Sequence, residues 1–453
     1  MLMKRLASHS LTFAIASAAF GLHGAHAAVG ADEAAQLKST LTPFGAEKAG
    51  NKEGTIPAWT GGHTTPVPGF KNGGRRGDPF ADEKPLFTIS AKNVDQYTDK
   101  LSDGTKAMFK RYPDTYRVDI YKTHRTAAAP QWVYDNTFKN ATTAKINGTV
   151  ITGAYGGIPF PIPKSANEVM ANHLLHWRGD AWRMDFRHFL GTSDGKRVMS
   201  AEGSADYQMP YYVKDGESKF KGDYWMIRLA TSGPAIRAGE AIVGRENLDH
   251  EKTQSWTYLP GQRRVRKLPN GCCDTPTPAS AGVMSFDEID VFAGRLDRFD
   301  WKIVGKKEMF IPYNSNRTHM ASESALFGPH HINPDHVRWE LHRVWIVEAN
   351  LASGKRHVAP KSRYYIDEDS WVAVLGDRWD ANGQLWKTLW TMPVVMPDLP
   401  ATTPQQQSGF YDLVSGAWYY SGSVNEKNSH YKIQAPLPDS TFTPDSMAGE
   451  GVR

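Results

Sequence analysis

From Trp339 to Leu351 apolar side chains recur at odd positions: Trp339, Leu341, Trp345, Val347, Ala349 and Leu351, with Arg343 in the same register. Polar Arg338, Glu340, His342, Glu348 and Asn350 occupy the even positions, broken by Val344 and Ile346. A period of two over that length predicts a strand with one face in an apolar interior. Ser353-Gly354 turns the chain into a second run ending at Tyr364-Tyr365-Ile366, and Asp367 to Ser370 turns it into a third, Trp371 to Leu375. Asn382-Gly383, the strongest short hairpin signal, opens a fourth, Leu385 to Trp390. These four runs predict an antiparallel meander, part of a curved sheet rich in wide aromatic side chains.

Earlier segments carry weaker patterns. Asp32 to Leu41 reads as a short helix ended by Pro43. Residues 43–85 hold six Pro and nine Gly, a share that excludes regular structure, yet Trp59, Phe70 and Phe80 punctuate them. That composition predicts an extended arm anchored by aromatic rings. Arg76-Gly77-Asp78 lies within it and reads as a turn rather than an adhesion motif. Val94 to Met108 is expected to be helical and to close at Tyr112-Pro113. A second helix follows Ser165 or Asn167 as cap, with Val169, Met170, His173, Leu174 and Trp177 as its stripe. Strands are expected at 181–190, 197–207, 224–231, 254–259, 263–268 and 299–311, and a third helix at 286–296. The sum is an antiparallel sheet of about ten strands with two or three helices on one face.

Charge and cysteines narrow the setting. Lys4 and Arg5, the apolar run Leu11 to Leu22 and Ala25-His26-Ala27 make a cleavable secretory signal, with Ala28 as the mature start. That apolar run is shorter than a membrane anchor requires. Lys4 and Arg5 leave with the signal, so 51 basic residues face 48 acidic ones. This balance gives no reason to expect nucleic acid as a partner. The only cysteines are the adjacent pair Cys272-Cys273, which excludes a disulfide framework. An oxidising compartment favours a vicinal disulfide over two free thiols.

Catalytic signatures are missing: no P-loop, G-x-G-x-x-G or H-E-x-x-H occurs, and Gly191-Thr-Ser-Asp-Gly195 matches G-x-S-x-G only as a turn between two expected strands, not as a strand-to-helix elbow. His319, His330, His331, His336 and His342 cluster without the regular spacing of metal ligands, and read as hydrogen-bonded loop histidines. Asp287, Glu288 and Asp290 read as a solvated helix face. The basic run Arg263-Arg264-Val265-Arg266-Lys267 is either a charged strand face or a contact for phosphate, lipid head groups or an acidic partner.

Several motifs together resemble one bacterial family. They are Pro159-Phe-Pro-Ile-Pro163, Tyr258-Leu-Pro-Gly-Gln-Arg-Arg-Val-Arg266, Ile311-Pro-Tyr-Asn314, Glu340-Leu-His-Arg-Val-Trp345 and Tyr365-Ile-Asp-Glu-Asp-Ser-Trp371. Jointly they are similar to the family called domain of unknown function 1329, from the signal peptide to near the C-terminus. That family in turn is similar to periplasmic lipoprotein carriers of the LolA/LolB type. The resemblance implies a mainly β (α+β) fold: an incomplete antiparallel barrel, with helices as a lid over an apolar cavity for acyl chains. It also implies work beside an inner-membrane efflux-type lipid transporter and an outer-membrane protein.

The expected organisation is a signal peptide (1–27), an N-terminal helix, arm and second helix (28–140), a half-barrel with lid helices (141–400) and a C-terminal extension (401–453). The expected function is a soluble periplasmic carrier, not an enzyme, that needs no cofactor or metal. Its ligand is a lipid, a lipoprotein acyl chain or another hydrophobic compound. Trp225, Trp256, Trp339, Leu341, Arg343, Trp345, Val347, Tyr365, Trp371 and Trp386 are the expected cavity residues. Arg343, aimed inward by its register, is expected to latch onto lid carbonyls when the cavity is empty and onto an anionic group when it is loaded. The competing reading is a structural or adaptor protein of the envelope with a solidly packed sheet.

Overall fold

The computed structural model of the chain describes residues 29–268, 272–404 and 407–447. The expected signal peptide and its cleavage site lie outside these. The meander forms as its alternation predicts: Trp339–Leu351, Lys361–Asp367, Ala373–Trp379 and Leu385–Thr391 pair antiparallel in sequence order. At the last hairpin Gly383 alone takes positive φ, 75°, and Asp380 N–H donates to Gln384 O at 2.9 Å. Asn382-Gly383 therefore ends a three-residue loop with a left-handed glycine, rather than forming a two-residue turn.

The sheet is larger than the ten strands expected. Sixteen strands join, and the path runs from Phe87–Ile89 and Val118–Ile120 through the meander. It continues through Ser408–Asp412 and Trp418–Ser423 to Ala181–Gly191, then through Arg197–Gln208, Asp223–Gly233, Ala241–Asn247 and Gln254–Leu259 to Arg264–Lys267. Phe299–Pro312 pairs along the other side of Trp339–Leu351, so the sheet stays open rather than closing on itself. The join between its halves brings distant segments together, with Tyr419 opposite Leu190. The basic run forms the exposed edge strand Arg264–Lys267, where like charges oppose edge-to-edge pairing with another chain.

Two apolar clusters flank the sheet. One holds Val133, Met170, Trp182, Leu229, Phe292, Val347 and Trp371, and the other Met108, Ile311, Trp339, Leu341, Val374 and Trp390. Because both faces of the meander are covered near the start of its first strand, the polar even positions there do not meet solvent, whereas Glu348 is half-buried and Asn350 exposed. Arg338, Glu340 and His342 are all buried, the first two completely.

Helices depart from expectation at three places. Val94–Lys100 is a 3-10 turn and the α-helix starts only at Asp103–Arg111, because Ser102 caps Thr105 N–H and breaks the run. Gln131–Thr143 is a helix that no sequence signal marked. It buries Val133, Thr137, Asn140 and Ala141 on one side. Residues 286–296 do not form a helix: only Phe286–Glu288 makes a 3-10 turn, and Asp290 and Val291 adopt φ of 50° and 70°. The second helix, Ala166–Leu174, is capped by Ser165 as predicted.

The N-terminal arm lies as an extended chain over the fold. Trp59 Nε1 donates to Ala127 O, Phe80 stacks on His124 with centroids 4.1 Å apart, and Arg76 pairs with Asp398 at 2.7 Å. The Arg76-Gly77-Asp78 run is thus engaged internally, since Asp78 in turn meets Arg317.

Candidate functional site

Strands Asp223–Gly233 and Ala241–Asn247 place Trp225, Ile227 and Leu229 opposite Glu246, Gly244 and Ile242. Alternation aims all six at one face. They floor a cavity of about 100 Å³, closed at the far end by Tyr419, Ser421 and His188. A Cβ on Gly244 would stand 3.1 Å from Ile227 Cγ2, so the glycine keeps this floor open. The cover is the irregular segment 272–296, from which Met284, Phe286 and Ile289 face down. Beside this cavity lies a second chamber of about 60 Å³, which shares Trp225, Glu246, Phe286 and Ile289 as wall.

Buried ion pairs hold the cover. Asp287, Glu288 and Asp290 are buried, which corrects their reading as a solvated helix face. Asp287 meets Arg378 at 3.2 Å and His357 Nε2 at 2.7 Å. Glu288 meets Lys387 at 2.9 Å, and Asp290 meets Arg178 at 2.9 Å. Burial opposes the Asp287 charge, but Arg378 and His357 outweigh it and hold the carboxyl well below the usual range. Each of these pairs joins the cover to a different element, so the cover is fixed at several points without a helix.

Of the residues expected in the cavity, Trp225 lines it. Trp345, Val347 and Trp371 belong to the same apolar layer; Trp345 and Trp371 stack 6.2 Å apart, and Trp371 Nε1 donates to Phe44 O. Trp339, Leu341 and Tyr365 lie in the other apolar cluster, where Tyr365 donates to Asp377. Trp256 packs against Phe442 and Met447, in a third cluster. Trp386 donates to Asp412 and supports Lys387 over its ring at 4.5 Å. Arg343 is buried, but its guanidinium reaches Ala49 O at 3.1 Å and Glu368 at 3.3 Å, on the arm side.

Sequence reasoning missed Glu246, which sits in one register with Ile242 and Gly244 on a strand it did not identify. A carboxylate in an apolar register was the available signal. Burial pushes its pKa up to about 7, against the hydrogen bond from Thr253. His188 and Ser421 also face the cavity, 3.4 Å apart. They are not poised as a base and nucleophile: His188 Nδ1 already accepts from Gly422 N–H at 2.9 Å, and burial lowers the imidazole pKa to about 3.

The adjacent cysteines stand as free thiols with sulfurs 2.6 Å apart, where the sequence favoured a disulfide. Among the described residues one trio brings metal-binding atoms within 4.8 Å of one another: His342, Asp367 and Asp369. Arg125 holds both Asp369 oxygens at 2.7 and 2.8 Å, and Glu340 holds His342 Nε2 at 3.1 Å. The arrangement is a buried ionic network that ties the arm to the meander, since Arg125 also bonds the carbonyls of Glu47, Lys48, Ala49 and Pro57.

The profile of a family described as "Protein of unknown function (DUF1329)" matches residues 88–448. An uncharacterized protein of Pseudomonas aeruginosa is 40% identical over 443 residues, covering 94% of this chain and 95% of its own. A DUF1329 family protein from Desulfovibrio piger is 15% identical, with a TM-score of 0.38 over 59% of this chain and 92% of that one. A LolA superfamily protein from Nitrosomonas europaea is 12% identical, with a TM-score of 0.37 over 63% of this chain and all of its own.

Proposed function

The chain belongs to the DUF1329 family, and from that premise we propose that it is a periplasmic carrier of a lipid, a lipoprotein acyl chain or another hydrophobic compound. The observation that carries this reading is the cavity between sheet and cover, walled by Trp225, Ile227, Leu229, Ile242, Phe286 and Ile289. An apolar pocket with a few convergent polar groups is the usual form of a small-molecule site. The cover consists of short turns held by side-chain ion pairs, so it can lift without unravelling a helix. A cavity near 100 Å³ is on the scale of one small ring, and a longer ligand enters only by raising the cover. The protein performs no chemistry on its cargo, in keeping with the occupied and deprotonated His188.

Export rests on the N-terminal pattern of charge, apolar run and Ala25-His26-Ala27. Among the described residues no helix is long and apolar enough to cross a membrane. The partners in this reading are an inner-membrane efflux-type lipid transporter and an outer-membrane protein.

Mass spectrometry of organic extracts from natively purified protein tests the proposal, together with uptake of a fluorescent fatty-acid probe. A co-purifying amphiphile, and probe uptake abolished by Gly244→Leu in a folded protein, are the expected results. No amphiphile and no uptake would instead favour the adaptor reading.

A further inference from the structure

The second chamber differs from the first in its polar atoms. Trp225 Nε1, His250 Nε2, Arg178 Nε and Asp290 Oδ1 are all buried, all four residues wall this chamber, and none of these atoms makes a hydrogen bond. Arg178, His250 and Asp290 are each at least nine-tenths buried. Buried polar atoms without partners are uncommon because each forfeits its hydration. Four in one small chamber, which shares its wall with an apolar cavity, call for a ligand group that supplies the missing bonds. The backbone points the same way: Asp290 and Val291 sit at consecutive positive φ, costly for a β-branched residue and typical of segments set by function.

Charge selects the kind of group. Arg178 is matched by Asp290 at 2.9 Å, and Arg295 by Asp297 at 2.9 Å and by Glu251. No cation of the chamber is left over for an anion. Glu246 and Asp290 instead add carboxyl groups to the wall. Burial lowers the pKa of His250, with Arg295 adding to the effect, so the imidazole is neutral near pH 7. The unmet atoms include donors at Trp225 and Arg178 and an acceptor at Asp290. A hydroxyl both accepts and donates.

We propose that this chamber seats the hydroxyl of an otherwise apolar alcohol, whose tail lies in the cavity floored by Ile227, Leu229 and Ile242. The inference rests on the carrier reading and narrows its cargo to an uncharged amphiphile. Fatty-acid anions and lipid phosphates are disfavoured because Glu246 and Asp290 face them with no free cation in return. The raised pKa of Glu246 is the same preference seen from the protein's side: the chamber disfavours negative charge.

Displacement of bound N-phenyl-1-naphthylamine from the mature full chain, at about pH 8, tests this with 1-decanol, decanoate and decyl phosphate. Decanol is expected to displace the probe at roughly tenfold lower concentration than either anion. Trp225→Phe, which keeps an aromatic ring but removes the N–H, should weaken decanol about five- to tenfold more than it weakens the probe, which has no hydroxyl to lose. Glu246→Gln should bring decanoate closer to decanol. Anions that match or exceed decanol, or an alcohol-to-anion ratio that neither variant moves, would overturn the hydroxyl assignment and leave the carrier standing. If neither the probe nor any of the three amphiphiles binds, the carrier reading fails and this one with it.

Discussion

Arg343 donates from Nη1 to the carbonyl oxygen of Ala49, 3.1 Å away and 294 positions earlier in the chain. The contact joins the first meander strand to the N-terminal arm, where Arg343 also meets Glu47 at 3.6 Å, while Glu368 of a meander turn and Glu308 of the neighbouring strand complete its partners. The inward register expected from the sequence therefore ends at the arm, not at the cavity.

Arg343→Leu should fold, because Glu368 keeps Lys306 at 2.5 Å and Arg125 at 3.7 Å. A loss of about 1–2 kcal/mol in urea denaturation is expected, with faster proteolysis of residues 43–60. Uptake of a hydrophobic probe should stay within about twofold. A large fall in uptake with the arm still protected would restore the latch to the ligand.

Arg125→Leu is expected to be far more severe. It strips both oxygens of Asp369 of their partner and frees four arm carbonyls. Removing one member of a buried pair costs about 3–5 kcal/mol. Denaturation midpoints should separate the two arginine variants clearly, and equal midpoints would contradict this account of the arm.

Asp287→Ala leaves the fully buried Arg378 with only the longer contact to Glu288, at 3.6 Å, and releases His357. A comparable loss, about 3–5 kcal/mol, is expected at neutral pH. Hydrogen exchange should rise across residues 275–296 before it rises in the meander. Exchange increasing uniformly would mean that the ion pairs do not hold the cover.

Glu246 gives the pH dependence a sign. Its pKa rises from 4.5 to about 7 on folding, so the folded state holds a proton that the unfolded chain has released. The stabilisation is complete below about pH 4.5 and is lost as pH climbs through about 7. Glu246→Gln, uncharged throughout, should gain on the parent by up to about 3 kcal/mol between pH 5 and pH 8. Urea midpoints at those two pH values measure it, and an unchanged difference would show Glu246 to be solvated.

Cys272 should alkylate first. Its neighbour's thiol, with Arg298 and Arg295, lowers its pKa to about 7, whereas Cys273 is buried and pushed well above the usual thiol range. Under reducing conditions near pH 7, iodoacetamide should modify Cys272 at least about tenfold faster. Peptide mapping at partial labelling decides it, with equal labelling as the contrary result.

The meander was legible because its information is local: alternation sets the strands, and Ser353-Gly354 and Asn382-Gly383 mark the turns. Alternation reports side-chain polarity, however, and not what covers it. Arg338, Glu340 and His342 looked solvent-facing and are buried because Glu83, Asp367 and Lys122 O come from elsewhere to meet them. The cover was misread for the same reason. Ser285 and Glu288 do form a capping box, the signal of a helix start. Yet the carboxylates that follow are drawn to Arg378, Lys387 and Arg178, whose positions only the tertiary fold supplies. The helix Gln131–Thr143 escaped notice since Trp, Val, Tyr, Asn and Thr are weak helix formers, and packing alone stabilises it.

The place of Trp418–Ser423 in the middle of the sheet bears on how the molecule comes into being. Its partners are Ser408–Asp412 on one side and Ala181–Gly191 on the other. A ribosome must therefore have released nearly the whole polypeptide before the two halves can meet. Until then both halves present unpaired strand borders to their surroundings, and closing so long a loop is slow. Completion of the sheet is therefore a late step, and the borders of Ser408–Asp412 and Ala181–Gly191 stay open to other strands until Trp418–Ser423 arrives between them.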